Sequence, residues 1–296
     1  MSLTTQKLGK RTRLVSDLGI ANSEFSSEKS NAEVHVTTGL LPTDRPDGAS
    51  AQDEAGSSDC ILACTACPAF QLSLCAEVRA KVAGADLLPG ASALATTVHT
   101  IPARRTICHH KEWSEYVPFI CRGWAVSSIT LADGRRQILS FLLPGEIVSA
   151  ACLLEPMSGR TVEAITEVEY RKFRRSDLKA FLFKYPDLLE KISKVWSDER
   201  AQLDQMALDL GRRTADERIA RLILNLMDRL AKRGMRSGNT MQFPLRQRHI
   251  ADATGLTPVH VSKVLGEFQR AGIFEIHSRT LTIIDEMELR RAAEWR

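Results

Sequence analysis

The sequence predicts an α+β protein made of an antiparallel β domain, one long helix and a C-terminal winged helix-turn-helix, in that order. Between Val98 and Phe173, short apolar runs are separated by turn residues, which is typical of antiparallel strands. The next segment carries apolar residues at steps of three and four, which predicts a helix. Near the C-terminus a short helical segment, a glycine and a longer helical segment follow one another.

Composition and length exclude several classes of protein. The chain has 296 residues, of which 44% are hydrophobic and 26% charged, which is enough for two domains with separate cores. It has no run of 18 apolar residues and no secretory signal pattern at its start, so we expect a cytoplasmic protein with no membrane partner. No nucleophile–base pair, phosphate loop or paired-carboxylate motif stands out, so we expect no enzyme.

Charge and composition vary along the chain. The net charge is +4, and residues 212–296 hold 16 Lys/Arg against 10 Asp/Glu, which favours a polyanionic partner at the C-terminal end. The predicted segments are a disordered extension (1–58), a cysteine-rich sensor segment (59–85), the β domain (86–180), the long helix (181–212) and the C-terminal domain (213–296). Within the β domain, Asp133-Gly134 predicts a hairpin turn.

The long helix carries a narrow apolar seam. Its positions are Leu189, Ile192, Trp196, Glu199, Leu203, Met206 and Leu210. Such a stripe is typical of a two-stranded coiled coil and predicts a homodimer. The alternative is a helix that merely covers the β domain, although covering helices usually show a wider apolar face.

Glu199 is the one charged residue of the seam. In a symmetric parallel pair it would face its own copy, and the two carboxylates would repel each other. We therefore expect dimerisation to be conditional on a signal, and Glu199→Leu to remove that condition.

The C-terminal domain has the residue chemistry of a helix-turn-helix. Thr214-Ala-Asp-Glu217 predicts a capping box at the start of its first helix. Ala251 suits a close helix crossing, Gly255 permits a left-handed turn, and Thr257 followed by Pro258 suits a helix start. A short hairpin wing follows. The predicted DNA contacts are Val259, His260, Ser262 and Lys263 on the recognition helix, and Arg246, Arg248 and Arg279 around it.

This order of elements resembles the CRP/FNR superfamily of bacterial regulators over about residues 60–285. The motifs are Leu142–Ile147 (LLPGEI), Gly159-Arg160-Thr161, and Leu256–Leu265 (LTPVHVSKVL). The resemblance implies a double-stranded β-roll of the cyclic-nucleotide-binding type, a homodimer, a palindromic promoter site and RNA polymerase as a partner. Members that bind cyclic AMP have a glutamate where this chain has Ala150, so we do not expect a cyclic nucleotide ligand.

The cysteine spacing resembles the oxygen-sensing subgroup of that superfamily. Cys60, Cys64, Cys67 and Cys75 lie within sixteen residues, and in that subgroup the last three bind a [4Fe–4S] cluster. The fourth ligand of the subgroup corresponds to Arg171, so Cys152 is our first substitute and Cys60 the second. Soft sulfur ligands also suit zinc.

Several alternatives to the cluster remain open. The first is structural zinc or thiol-based redox sensing in the same kind of regulator, with no cluster bound. A small-ligand-responsive regulator and a thiol oxidoreductase using Cys64 and Cys67 are more distant. We expect Cys108 and Cys121 to be core residues and assign no role to His109 and His110.

The recognition residues differ from those of the oxygen sensors. Where those sensors have a glutamate, a serine and an arginine, this chain has Val259, Ser262 and Lys263. The resemblance therefore implies a related but different operator. We further expect the bound cluster to pack the N-terminal loop against the long helix and so to favour the dimer.

Overall fold

The computed structural model describes residues 73–84 and 96–293, so the predicted extension and Cys60, Cys64 and Cys67 lie outside the described residues. The helices are α1 (Leu74–Gly84), α2 (Arg175–Lys184), α3 (Pro186–Arg212), α4 (Ala215–Lys232), α5 (Gln247–Thr254), α6 (Pro258–Arg270) and α7 (Glu286–Ala293). The strands are β1 (Thr97–Ile101), β2 (Thr106–Cys108), β3 (Tyr116–Arg122), β4 (Ala125–Thr130), β5 (Arg136–Leu142), β6 (Thr161–Ala164), β7 (Val168–Arg174), β8 (Arg236–Ser237), β9 (Thr240–Gln242), β10 (Phe274–His277) and β11 (Thr280–Ile283). A 3₁₀ helix, Ala150–Leu153, lies between β5 and β6. None of the helices in the described part is long and apolar enough to cross a membrane.

Two antiparallel sheets form the β domain, which confirms the predicted fold class. Their strand orders are β1-β7-β3 and β2-β6-β4-β5. Apolar residues from both sheets and their loops form a common cluster: Ile120, Ala125, Leu142, Val148, Val162, Ala164, Val168 and Tyr170. The hairpin predicted at Asp133-Gly134 joins β4 to β5, and Gly134 has the positive φ (87°) that such a turn requires.

The long helix begins later than the sequence predicted. Arg175–Lys184 is a separate helix, and α3 starts at Pro186 rather than at residue 181. Tyr185 between them is extended, with φ −124° and ψ 92°. A residue before proline is disfavoured in the α conformation and the proline nitrogen has no hydrogen to donate, so the helix is interrupted here.

The first turns of α3 cover the β domain, as in the alternative interpretation. Leu188 and Ile192 are buried in a cluster with residues of α1, α2, β3 and β7. Ile192, which was predicted to face a second copy, is buried against its own chain. Leu189 and Trp196 are 40% and 48% exposed, and Leu203, Met206 and Leu210 are half-buried. These five remain available to a partner helix.

Glu199, which the sequence predicted to face its own copy, has hydrogen-bond partners within its own chain. Its carboxylate accepts hydrogen bonds from Ser149 Oγ at 3.0 Å and from the backbone N–H of Ala150 at 2.8 Å. Both donors lie at the start of the 3₁₀ helix, where backbone N–H groups have no partner within the helix. The carboxylate is therefore hydrogen-bonded within its own chain.

The β domain and the C-terminal domain share one apolar core, which we call the shared core. Trp124, Val126, Ile138, Phe141 and Leu143 of the β domain belong to the same cluster as the buried residues of α4 to α7 and of β9 to β11. Beside it, the half-buried Arg136 of β5 donates to Asp252 of α5 at 2.8 Å and to Glu163 of β6 at 3.1 Å.

A second ionic contact joins the two domains at the Pro-Gly turn after β5. Glu146 accepts from Arg229 at 2.7 Å and from Arg233 at 2.5 Å, and both arginines belong to the α4 region. Arg229 also donates to the backbone carbonyl of Phe141 at 2.6 Å. The three side chains are only 15–21% exposed, so the ions are poorly screened by solvent.

Replacing Glu146 tests whether this contact holds the domains together. Glu146→Gln leaves two largely buried guanidinium groups without their counter-charge, so we expect the free energy of unfolding to fall by about 3 kcal/mol. The measurement is urea unfolding at constant m-value. Glu169→Gln is the matched control, because its partner Arg122 is 61% exposed at 3.3 Å, and its loss should stay under about 0.5 kcal/mol. Equal small losses in both variants would contradict the assignment.

Candidate nucleic-acid interface and cysteine site

The helix-turn-helix has the local geometry that the sequence predicted. Gly255 ends α5 with φ 67° and ψ 27°, in the left-handed region, and the N–H of Leu256 donates to the carbonyl of Ala251 at 3.1 Å. Thr257 caps α6 by accepting from the N–H of His260 at 3.2 Å, and Pro258 is the first helical residue. The turn thus fixes the direction in which α6 leaves α5.

One face of α6 is buried in the shared core and the other is exposed. Its buried residues are Val261, Val264, Leu265 and Phe268. The four predicted contacts of this helix, Val259, His260, Ser262 and Lys263, are all exposed. The Lys263 ammonium lies 3.9 Å from Glu267 and its side chain is 71% exposed, so this weak ion pair leaves it free to bind an anion.

The wing carries an arginine in a strained conformation. β10 and β11 are joined by Ser278 and Arg279, whose φ angles are 48° and 63°. Two consecutive left-handed residues are typical of a type I′ turn, where asparagine and glycine are preferred. The Arg279 side chain is exposed, while its carbonyl accepts from the N–H of Phe243 at 2.7 Å. An arginine at this place costs stability and puts a cation at the tip of the wing.

The start of α5 presents further cations. Arg246 and Arg248 are exposed, and Arg248 lies 3.8 Å from Asp252. Burial and then the nearby Arg136 and Arg246 lower the pKa of His249 to about 4, so this imidazole is neutral at physiological pH. Its Nδ1 accepts from the N–H of Arg246 at 3.2 Å, and it contributes no charge to the surface.

Two of the candidate cluster ligands lie within the described residues, and they pack into the same apolar cluster. Cys75 is buried on α1 and belongs to a cluster that includes Leu153 and Phe173, and the half-buried Cys152 of the 3₁₀ helix packs against that cluster. Burial raises the pKa of Cys152, so the free thiol is protonated at neutral pH. In the described part of the chain, no three Cys, His, Asp or Glu side chains are placed to hold a metal.

The other cysteines and the position of the family's fourth ligand have separate environments. Cys121 is buried, whereas Cys108 is half-buried and packs on the same cluster as Cys152. Burial raises the pKa of Cys108 to about 11. Arg171 is buried and donates to Thr96 Oγ1 at 2.7 Å, so a cation stands where the oxygen sensors have a thiolate.

Sequence reasoning missed the contacts that connect these sites to the rest of the fold. Glu199 and Ser149 are 50 positions apart, and Arg136 and Asp252 are 116 apart. Each residue taken alone looks like ordinary surface charge. No local pattern in the sequence signals such pairs, because only the folded chain brings them together.

Comparison with known proteins identifies two domains. The cyclic nucleotide-binding domain family matches residues 98–185, and the Crp-like helix-turn-helix domain family matches residues 217–292. The chain is 31% identical over 175 residues to the transcriptional activator protein FnrA of Stutzerimonas stutzeri, which covers 58% of this chain and 70% of FnrA. It is 33% identical over 159 residues to the nitrogen fixation regulation protein FixK of Bradyrhizobium diazoefficiens, covering 52% of this chain and 64% of FixK.

Two further matches agree with these. The anaerobic regulatory protein of Aggregatibacter actinomycetemcomitans is 28% identical over 172 residues, which cover 58% of this chain and 66% of that protein. The solved structure of FixK2 from Bradyrhizobium japonicum superposes with a TM-score of 0.62 at 27% identity, over 69% of this chain and all of that one. The chain therefore belongs to the CRP/FNR family of DNA-binding transcription regulators.

Proposed function

We propose that this regulator senses oxygen or cellular redox state through a [4Fe–4S] cluster bound by Cys64, Cys67, Cys75 and Cys152. The observation that carries the proposal is that Cys75 and Cys152, far apart in sequence, pack into one apolar cluster. The similarity to a protein named as an anaerobic regulator gives independent support.

The described donors fit such a group. Cys75 and Cys152 offer soft sulfur in apolar surroundings, which iron–sulfur clusters use. The Arg175 Nε donates to the Cys152 carbonyl at 2.7 Å, so a fixed positive charge lies beside this thiol and would favour its thiolate. A guanidinium cannot bind iron, so Arg171 cannot be the fourth ligand, and Cys60 is the substitute if Cys152 is not. A bound cluster would supply redox chemistry whose potential depends on its exposure and hydrogen bonds.

The two helices that carry the proposed cluster ligands, α1 and the 3₁₀ helix, both contact α3. Glu199 binds the start of the 3₁₀ helix that carries Cys152. On α1, which carries Cys75, Lys81 pairs with Asp187 at 2.8 Å, and Glu77 pairs with Lys191. A change at either thiol therefore reaches the same helix. Because the exposed side of α3 carries the proposed dimer contacts, Leu189, Trp196, Leu203, Met206 and Leu210, these attachments can couple redox state to dimer geometry.

A dimer formed along α3 would place two recognition helices in successive major grooves, about 34 Å apart. We propose that it binds a palindromic promoter site and acts there with RNA polymerase. The proposed DNA contacts are Val259, His260, Ser262, Lys263, Arg246, Arg248 and Arg279. We propose that Lys263 and Ser262 contact base edges and that the arginines contact phosphates.

A second candidate is a regulator with structural zinc or thiol-based sensing. The observation that favours it is the buried Arg171 at the position of the family's fourth cluster ligand. In this candidate the cysteines bind structural zinc or act as redox thiols, with no cluster. Metal analysis separates the two candidates.

Anaerobic purification of the full chain tests the cluster. We expect a brown protein with about four iron and four sulfide per subunit, and loss of most of the iron in Cys75→Ala and in Cys152→Ala. Cys121→Ala is the matched control, because this buried thiol belongs to β3 and should not affect iron content. A colourless protein that contains zinc would establish the second candidate. If Cys152→Ala keeps its full iron content, Cys60 is the fourth ligand instead.

Replacing Arg279 by glycine should have opposite effects on stability and on binding. Glycine accepts the left-handed conformation, so we expect a gain of about 1 kcal/mol in the free energy of unfolding. Loss of one phosphate contact per subunit should make the slope of log K against log salt less negative by about 2 for a dimer. Both are measured on the purified protein, by urea unfolding and by fluorescence anisotropy with duplex DNA.

Arg104→Gly is the matched control for this substitution. Arg104 is also exposed with a left-handed φ (70°), but it lies in the loop between β1 and β2. It should gain similar stability and leave DNA binding unchanged. If Arg279→Gly shows the same unchanged binding, Arg279 does not contact phosphate.

A further inference from the structure

Val259 is an apolar side chain in an exceptional place. It is 80% exposed, the highest value among the large hydrophobic residues in the described part of the chain. It is the second residue of α6, directly after Pro258. Single exposed apolar residues are common on protein surfaces, but this one lies at the end of the helix that a helix-turn-helix presents to the bases.

The neighbours of Val259 indicate what covers it. His260, Ser262 and Lys263 are exposed on the same part of α6. The apolar side chain of Val259 is therefore surrounded by hydrogen-bond donors and acceptors. A complementary surface must therefore be polar with one apolar group at a defined point. The floor of the major groove has this character, because every base pair presents polar atoms there and only thymine adds a methyl group.

We propose that Val259 is a specificity-determining residue that recognises thymine by packing its isopropyl group against the C5-methyl. The inference rests on DNA binding through α6 and goes beyond it by naming the base. Val259 has no hydrogen-bond donor or acceptor on its side chain, so it cannot select adenine, guanine or cytosine by polar contact. Contact with those bases would instead leave their polar edges without a partner.

The position of Lys263 places that thymine relative to a guanine. Residues four apart lie on one face of a helix, about 6 Å apart along its axis. The Lys263 ammonium, which is only weakly paired with Glu267, can donate to the acceptor atoms of guanine. Since bases are spaced by about 3.4 Å along one strand, the recognised thymine should lie within about two steps of this guanine in each half-site.

Replacement of thymine by deoxyuridine tests the proposal, since it removes only the methyl group. Duplexes are first selected from a random-sequence pool with the full-length protein, and each thymine of the selected site is then replaced in turn. We expect one position per half-site at which the wild type loses about fourfold in affinity. Alanine leaves only one methyl group to contact the base, so Val259→Ala should lose clearly less than fourfold at that position. At the other positions the variant should match the wild type.

Val98→Ala is the matched control, because Val98 is an exposed valine on β1, and it should keep the wild-type ratio at every position. Since Val259 is exposed, its substitution should not change the unfolding curve. Two results overturn the proposal while DNA binding stands: a wild type that tolerates deoxyuridine at every position, or a Val259→Ala variant that discriminates as strongly as the wild type. Failure to select any duplex would overturn DNA binding itself, and this inference with it.

Discussion

The hydrogen bonds of Glu199 are the constraint on which the proposed signalling depends. They join the middle of α3 to the start of the 3₁₀ helix, beyond the point where the buried Leu188 and Ile192 attach the helix to the β domain. A carboxylate that accepts from a helix N-terminus makes charge-assisted bonds, which are stronger than neutral ones. The resemblance implies that Ala150 corresponds to the glutamate of members that bind cyclic AMP. In this structure the backbone N–H of Ala150 donates to the Glu199 carboxylate.

The second constraint is the shared core, which determines where α6 lies relative to α3. Trp124 and Phe141 of the β domain pack with the residues that support the recognition helix. Arg136 and Glu146 add ionic contacts at its border, with partners on α5 and in the α4 region. To move α6 relative to the β domain, the chain would have to separate buried apolar surface and partly buried ion pairs together. Small shifts of the whole C-terminal domain are therefore favoured over free rotation.

The sequence predicted those parts of the fold that depend on neighbouring residues. The turn at Asp133-Gly134 and the left-handed Gly255 follow from the conformations that their residue types allow, and the structure has both. The interruption before Pro186 carried a local signal too, but the apolar period on either side masked it. The partner of Glu199 could not be predicted, because a period of three and four gives a face and not the surface that the face meets. Tertiary pairing of charges is decided by packing, which no local pattern records.

The shared core has a consequence for how such regulators diversify. The C-terminal domain is not a self-contained module, because Trp124 and Phe141 of the β domain complete its apolar core. Moving it onto the β domain of a distant relative would leave that core open to solvent or badly matched, and the hybrid would tend to aggregate. Recombination between relatives should therefore succeed only when residues 124–143 of the β domain are exchanged together with the C-terminal domain. Changes of DNA specificity would instead accumulate as single substitutions on the exposed side of α6.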